Sequence, residues 1–325
     1  MSRAPVSERS PFLAILLAAV LPLSCGGLEH EAEDPLSAFG ETKGVGGSAP
    51  GPGEAPAPEN TSDKTISEII VDCERHISAW QFARASANSQ RELEQLQVLE
   101  EAFARYVANE MDLVREAALI GEARARGVAS TALGFSGDPS VLPILLNNLA
   151  DPDQGVVANT LYGLGMLAAP ETPGGSLSDA IQRQDASLEM VQNGVFAAAR
   201  VAQARSRDEE RGQRADGLDE VLIHLLDRPE VGIRAQAASG LGYARAESAL
   251  PQLTNLLVGD SESAVRMAAA FALGEIGDSV SGSVLISALD DPTPGVAGAA
   301  RGALAKLYGR DRGPDPKAWE PMLRD

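Results

Sequence analysis

Ser263-Ala-Val-Arg266-Met-Ala-Ala-Ala-Phe-Ala-Leu273-Gly274-Glu-Ile-Gly-Asp278 is the unit from which this chain is built. Val265, Ala268, Ala269, Ala272 and Leu273 fall at three- and four-residue steps, the period of one apolar helical face. The stretch predicts a helix, a turn and the start of a second helix. Arg266 stands eight residues before Gly274, and degraded copies of that arrangement recur on both sides. Leu133-Gly134 has Arg126 at that offset and Leu241-Gly242 has Arg234; Leu164-Gly165 has Val157, Ala199-Arg200 has Gln192 and Leu304-Ala305 has Ala297. The anchors at 134, 165, 200, 242, 274 and 305 are 31, 35, 42, 32 and 31 residues apart. A near-constant period of that size, with two helices per unit, indicates a helical solenoid. The two longer steps contain loop-like sequence, rich in Pro and Gly at 170–176 and highly charged at 205–217.

Asp138-Pro139, Asp151-Pro152, Asp291-Pro292 and Asp315-Pro316 punctuate the array. The carboxylate can accept from backbone N–H groups at a helix start, and Pro in the first turn gives up no bond there. The Gly of Leu-Gly is expected to end the helix or to let a neighbouring helix approach. Composition agrees with close-packed helices: aromatics are 4% of the 325 residues, and 32 are Gly. The formal charge of −19, with no cluster of Lys and Arg, excludes a protein that tracks nucleic-acid phosphates.

Residues 1–25 read as an export signal, with Arg3 and Arg9 before an apolar run at 11–23 that is short for a membrane span. The run ends Leu21-Pro22-Leu23-Ser24-Cys25-Gly26, which resembles the bacterial lipobox. Ser24 and Cys25 fit, while Pro22 replaces the usual leucine. That resemblance implies lipid attachment at Cys25; the alternative is an ordinary secretory signal with a chance cysteine. Residues 26–62 hold Glu29, Glu31, Glu33 and Asp34 and a Gly/Pro/Ala/Ser-rich stretch at 44–58, the composition of a disordered tether. Residues 63–112 predict an N-terminal helical cap. Thr65 with Glu68, and Ser89 with Glu92, have capping-box spacing. Ile66, Ile69, Ile70, Cys73, Ile77 and Trp80 share one face of the first helix, and Leu93, Leu96, Leu99, Phe103 and Tyr106 one face of the second. Cys73 is expected to be a small buried hydrophobe. Such a cap should present a polar outer face.

From residue 113 to 325 the pattern resembles short HEAT-type repeats of the kind found in phycobilisome-lyase-like proteins, best in 229–259 and 260–290. The resemblance implies an all-α, right-handed HEAT-type solenoid of about six helical hairpins behind the N-terminal cap. It also implies that the first helix of each pair lies on the convex side and the second on the concave side. The tail through Trp319 resembles the closing segment of bacterial HEAT-repeat proteins, with Trp319 covering the last core.

No catalytic constellation accompanies the repeats. The HEAT-fold enzyme that hydroxylates deoxyhypusine holds its metal with His-Glu pairs; here the one such dipeptide is His30-Glu31, in the tether. His76 and His224 are far apart in sequence, and neither a phosphate loop nor a Gly-x-Ser-x-Gly elbow is present. No cofactor or metal is expected. Arg126, Arg234 and Arg266 read either as a basic stripe for an anionic ligand or as a ladder bonded to caps of neighbouring repeats, such as Asp227 or Asp260. Aligned on Leu149, Ile181, Leu226, Leu257 and Leu289, the second helices carry Asn147, Asp179, His224, Asn255 and Ser287 two residues earlier. Stacked, these five polar residues form a column suited to a peptide or protein partner, or simply the solvated side of amphipathic helices.

The expected function is a non-catalytic binding or scaffold module on the periplasmic face of a bacterial envelope membrane, attached through the lipid alone. Gly26, where some bacteria carry an inner-membrane retention aspartate, hints at the outer membrane. The alternatives are a metal-dependent or lyase-like enzyme with its site in the loops at 170–176 or 205–217, and a purely structural envelope protein.

Overall fold

A computed structural model describes residues 63–207 and 216–323. The export signal with Cys25, the tether and residues 208–215 of the charged loop lie outside the described residues. Among the described residues every regular element is helical, and the fold class is an all-α solenoid. The helices fall into two compact units that meet in sequence at Leu167 and Ala168.

The first unit holds α1 (Ile66–Ser86), α2 (Gln90–Asn109), α3 (Met111–Ile120), α4 (Ala123–Phe135), α5 (Leu142–Asn148) and α6 (Gln154–Leu167). Both capping boxes form: Thr65 and Ser89 accept from the N–H of Glu68 and Glu92, whose carboxylates reach back to the Thr65 and Ser89 N–H groups at 2.8 Å. α1 buries Ile69, Ile70, Cys73, His76, Ile77 and Trp80. α2 buries Leu96, Leu99, Phe103 and Val107, whereas Leu93 in its first turn is 37% exposed. Trp80 meets Phe135 edge-on at 5.2 Å and Tyr162 at 6.4 Å, and Phe103 lies 5.0 Å from Phe135. A chain poor in aromatics thus concentrates them at one end, where α1 crosses the helices beneath it. The outer surface of the cap departs from the expected polar face, since Val71, Phe82 and Val98 are exposed. Deeper in the unit, buried Asn148 donates to the Ala118 carbonyl at 2.9 Å and to Ser130 Oγ at 3.0 Å, joining α5 to α3 and α4.

The second unit alternates α7 (Gly174–Ile181), α8 (Leu188–Arg205), α9 (Leu218–Leu225), α10 (Val231–Ala244), α11 (Leu250–Gly259), α12 (Ser263–Ile276), α13 (Gly282–Ser287) and α14 (Pro294–Leu307). The long helices α8, α10, α12 and α14 form one row, and the short helices α7, α9, α11 and α13 the other. Long neighbours approach to backbone contact. A Cβ placed on Gly242 of α10 would lie 2.7 Å from Ala272 Cα, and one on Gly274 of α12 would lie 2.6 Å from Ala303 Cα. In the first unit a Cβ on Gly134 of α4 would fall on the backbone of Gly163 in α6. The Leu-Gly glycine is therefore a crossing point inside the helix and not its end. The ends are made a turn later in left-handed conformation, by Gly277 (φ 78°) after α12 and by Arg245 (φ 52°) after α10.

The short helices touch one another only sparsely. Close spacing marks the long row as the inner one of this unit, so the resemblance is corrected here: the second helix of each pair lies on the wider, outer row. The last core ends as expected. Trp319 is fully buried, lies 6.4 Å from Tyr308 and donates its indole N–H to the Gly313 carbonyl at 2.9 Å.

The recurrent arginines join one repeat to the next. Arg126 forks onto Asp151 (2.7 and 3.0 Å), Arg234 onto Asp260 (2.9 and 3.1 Å) and Arg266 onto Asp291 (2.8 and 3.1 Å). Of the two expected caps, Arg234 takes Asp260 and not Asp227. Each carboxylate also accepts the N–H two residues on, from Asp153, Glu262 and Thr293. Arg266 in addition donates to the Asp260 carbonyl at 2.9 Å, so Arg234, Asp260, Arg266 and Asp291 form a continuous relay. Burial pushes the Asp260 carboxyl up, but the bonds from Arg234 and the Glu262 N–H outweigh it and hold the group below the usual carboxylate range. Arg266 does the same for Asp291, helped by the Thr293 N–H.

Two outcomes follow for urea unfolding. Gly274→Ala lowers stability by about 2 kcal/mol despite the better helix propensity of Ala, because Ala303 must move. Gly298→Ala, at a site where a Cβ meets nothing within 4 Å, raises it by about 1 kcal/mol. A double-mutant cycle on Arg234→Ala and Asp260→Ala gives a coupling of about 2 kcal/mol, since the side chains are only 13% and 6% exposed. Additive effects would mean that the joint holds nothing.

Candidate functional site

The five residues of the expected polar column are all exposed. Asp179, His224, Asn255 and Ser287 sit one on each short helix of the second unit, near its C-terminal end; Asn147 occupies the same place on α5 of the first unit. Ser287 Oγ donates to the Ser283 carbonyl at 3.1 Å, and Asn147 Nδ2 to Asn148 Oδ1 at 3.3 Å. Within the second unit the four carrier helices form the outer row, so Asp179, His224, Asn255 and Ser287 lie on its wider side.

His224 borders a hollow of about 410 Å³ between the ends of α7 and α9 and the start of α8, together with Ile181, Arg183, Leu188 and Arg228. Each guanidinium is already engaged by a nearby carboxylate. Arg183 forks onto Asp185 at 2.9 and 3.0 Å, and Arg228 onto Glu230 at 3.1 and 3.2 Å. The hollow is therefore close to neutral, and an anion entering it must compete with two formed pairs.

The opposite side of the long row was not legible as a site. Leu241 and Leu273 are fully buried. At 100° per residue, a position two away faces roughly the other way. Those positions hold Tyr243 and Phe271, half-buried and edge-to-face at 5.2 Å between α10 and α12. Burial pushes the Tyr243 phenol up, and Glu275 adds to the shift. Arg200 Nη1 donates to Gln203 Oε1 at 2.9 Å on α8, and Lys306 pairs with Glu275 at 2.5 Å between α14 and α12. Beyond Phe271 the row ends in Gly298 and Gly302, where the α14 backbone is open to solvent. The available signal was the placing of two aromatics among Ala and Gly, two residues from a core Leu, in a chain with so few.

The described residues of the two loops offered as an alternative seat for chemistry are tied to each other. Arg205 donates to the carbonyls of Pro170 (3.1 Å) and Thr172 (2.7 Å) and to Asp216 (2.7 Å), and Asp216 accepts the Gly174 N–H at 2.9 Å. Burial acts to raise the Asp216 carboxyl, but Arg205 and Gly174 bring it below the usual range. This is a clip between two loops. Among the described residues no three His, Cys, Asp or Glu side chains gather to hold a metal ion, and no helix is long and apolar enough to cross a membrane. Cys73 is fully buried, and burial pushes its thiol up to about 12, so it is inert as a nucleophile.

Residues 219–305 match the family model described as HEAT repeats. No curated protein matches the chain. Among solved structures, human deoxyhypusine hydroxylase in complex with glycerol is 21% identical over 75% of this chain and 95% of its own, with a TM-score of 0.36. The complex of CpcE and CpcF of phycocyanin lyase from Nostoc sp. PCC7120 is 16% identical over 85% and 99%, with a TM-score of 0.38. A designed armadillo repeat protein is 18% identical over 74% and 99%, with a TM-score of 0.42. None of these likenesses bears on activity, and the HEAT repeats of 219–305 remain the family feature that the chain displays.

Proposed function

We propose that this protein is a non-catalytic binding module that presents a protein partner with the inner face of its long-helix row and is held at a bacterial envelope membrane by lipid on Cys25. The observation that carries the binding reading is the Tyr243–Phe271 pair. Two aromatic side chains are left half-buried in the middle of a row whose closest crossings, Gly242 on Ala272 and Gly274 on Ala303, are made by Gly and Ala. Aromatic side chains give large contact area for little lost rotamer freedom and dominate interface energetics. The Glu275–Lys306 ion pair flanks them, as a polar rim flanks an interface core. The match to HEAT repeats supports a scaffold, because stacked repeats offer extended surface in place of a closed pocket. The net charge of −19 favours a partner with a basic or neutral surface and disfavours nucleic acid.

The exposed column of Asp179, His224, Asn255 and Ser287 supports a second contact surface on the outer row. A photo-crosslinking amino acid at Phe271 in intact cells is expected to yield a discrete adduct, and one at Asn255 to yield the same partner only if both rows engage it. The absence of any adduct at both positions would turn the reading towards a purely structural protein. Alanine at Asn147, His224 and Asn255 together is expected to change stability by no more than about 0.5 kcal/mol each. Radiolabelled palmitate is expected to enter the wild-type chain and not Cys25→Ser; label in both, or in neither, removes the anchor.

A further inference from the structure

Two histidines are described, and they differ sharply: His224 is exposed, while His76 on α1 is 4% exposed. The His76 ring stacks on Phe103 at 5.2 Å and tilts against Tyr106 at 5.0 Å, both from α2. One turn earlier on α1, Asp72 accepts the Tyr106 hydroxyl at 2.9 Å, and Lys64 reaches both Asp72 (2.8 Å) and Tyr106 Oη (3.3 Å). The contact of α2 with α1 thus has two halves, an imidazole against two aromatic rings and a polar clasp beside it.

We propose that the α1–α2 cap is a proton-operated latch: neutral His76 packs against Phe103 and Tyr106 and holds α2 onto α1, and protonation of His76 releases it. A charge there is opposed from several sides. The ring sits in a buried aromatic slot; Arg75 and Lys64 on the α1 side repel a cation, and Asp72 alone of the three neighbours favours one. α2 contributes the Tyr106 phenol, whose ionisation burial drives above its ordinary range. Glu110, just before α3, is buried and adds to the upward shifts of Cys73 and Tyr106. α4 contributes Phe135, which packs on Trp80 and Phe103. Burial is the largest cause, and it moves the imidazole from 6.5 down to about 4.

The sign follows from proton counting. An open cap binds the proton more readily than a closed one between those two values, so closure is fully supported above about pH 6.5 and is lost as the pH falls towards about 4. Between pH 7 and pH 5 the opening constant rises roughly twentyfold on these values.

Hydrogen exchange of the full chain, corrected for the intrinsic rate, tests this at pH 7 and pH 5. The α1 and α2 amides are expected to open roughly twentyfold more at the lower pH, with α12 amides as the unchanging control. His76→Phe, which keeps a ring in the slot, is expected to remove the pH response. No response in the wild type overturns the latch, and so does an equal response in His76→Phe and His76→Gln. Should both variants fail to fold, the wild-type imidazole is read directly by NMR. Titration below pH 5 in step with α2 amide shifts supports the latch, and titration near 6.5 overturns it.

Discussion

Two helices cannot meet at backbone distance while both carry a side chain at the crossing, and the architecture of each unit answers to that limit. Gly134 on Gly163, Gly242 on Ala272 and Gly274 on Ala303 are such crossings. They draw the long helices into one close row. The flanking positions are then confined to Ala, which is why Ala237, Ala238, Ala268 to Ala270 and Ala272 are buried where a larger protein core would use Leu or Phe. The large apolar residues move to the seam with the short helices, as Leu222, Leu253, Leu257 and Leu285 do. A row so closely spaced leaves its other side shallow, and side chains there stay partly in solvent. The Tyr243–Phe271 surface is in that sense a product of the glycines behind it.

Close approach alone does not fix the rotation of one hairpin on the next. That is the work of the arginine joints. Each aspartate accepts a fork from the helix before it and a backbone N–H from its own turn, so turn and stacking are fixed by one carboxylate. Lys in place of Arg would offer a point charge without the planar fork that meets both oxygens. The joint is missing where the array changes. Gln192 stands at the long step, and there Arg205 and Asp216 clip the two loops together. Ala297 stands on α14, where Arg301 pairs with Asp311 and Trp319 packs on the core.

The period, the joints and the capping boxes were legible because each depends on residues near in sequence or repeated at a fixed step. The order of the rows was not, since it depends on the relative spacing of helices that carry equally apolar faces; the resemblance put the short helices on the inner side, and the packing puts them on the outer. The role of Gly274 was half legible. A Leu-Gly pair near the end of a helical pattern suits a helix stop or a crossing, and only the position of Ala303 decides between them. His76 was overlooked although it lies on the same helical face as Cys73 and Trp80, because burial of an imidazole depends on Phe103 and Tyr106 being brought to it by a second helix. The polar column was legible as exposed side chains, but a surface is not a site until something is shown to bind there.

The joints and the cap differ in how they meet acid, and the difference orders them. Asp260 and Asp291 are held below the usual carboxylate range, and Arg301 with the Gly313 N–H takes Asp311 down to about 2. Such groups keep their bonds until the pH falls well under the ordinary carboxylate value. Glu189 and Asp219, which burial raises, respond in the opposite sense, since protonation relieves them. His76 is the group whose contribution is withdrawn first on acidification, across the interval from 6.5 to about 4. Mild acid therefore acts on the aromatic cap of the first unit while the arginine joints of the second unit persist. The repeats are held by charge pairs that acid reaches late, and the cap by an uncharged ring that acid reaches early.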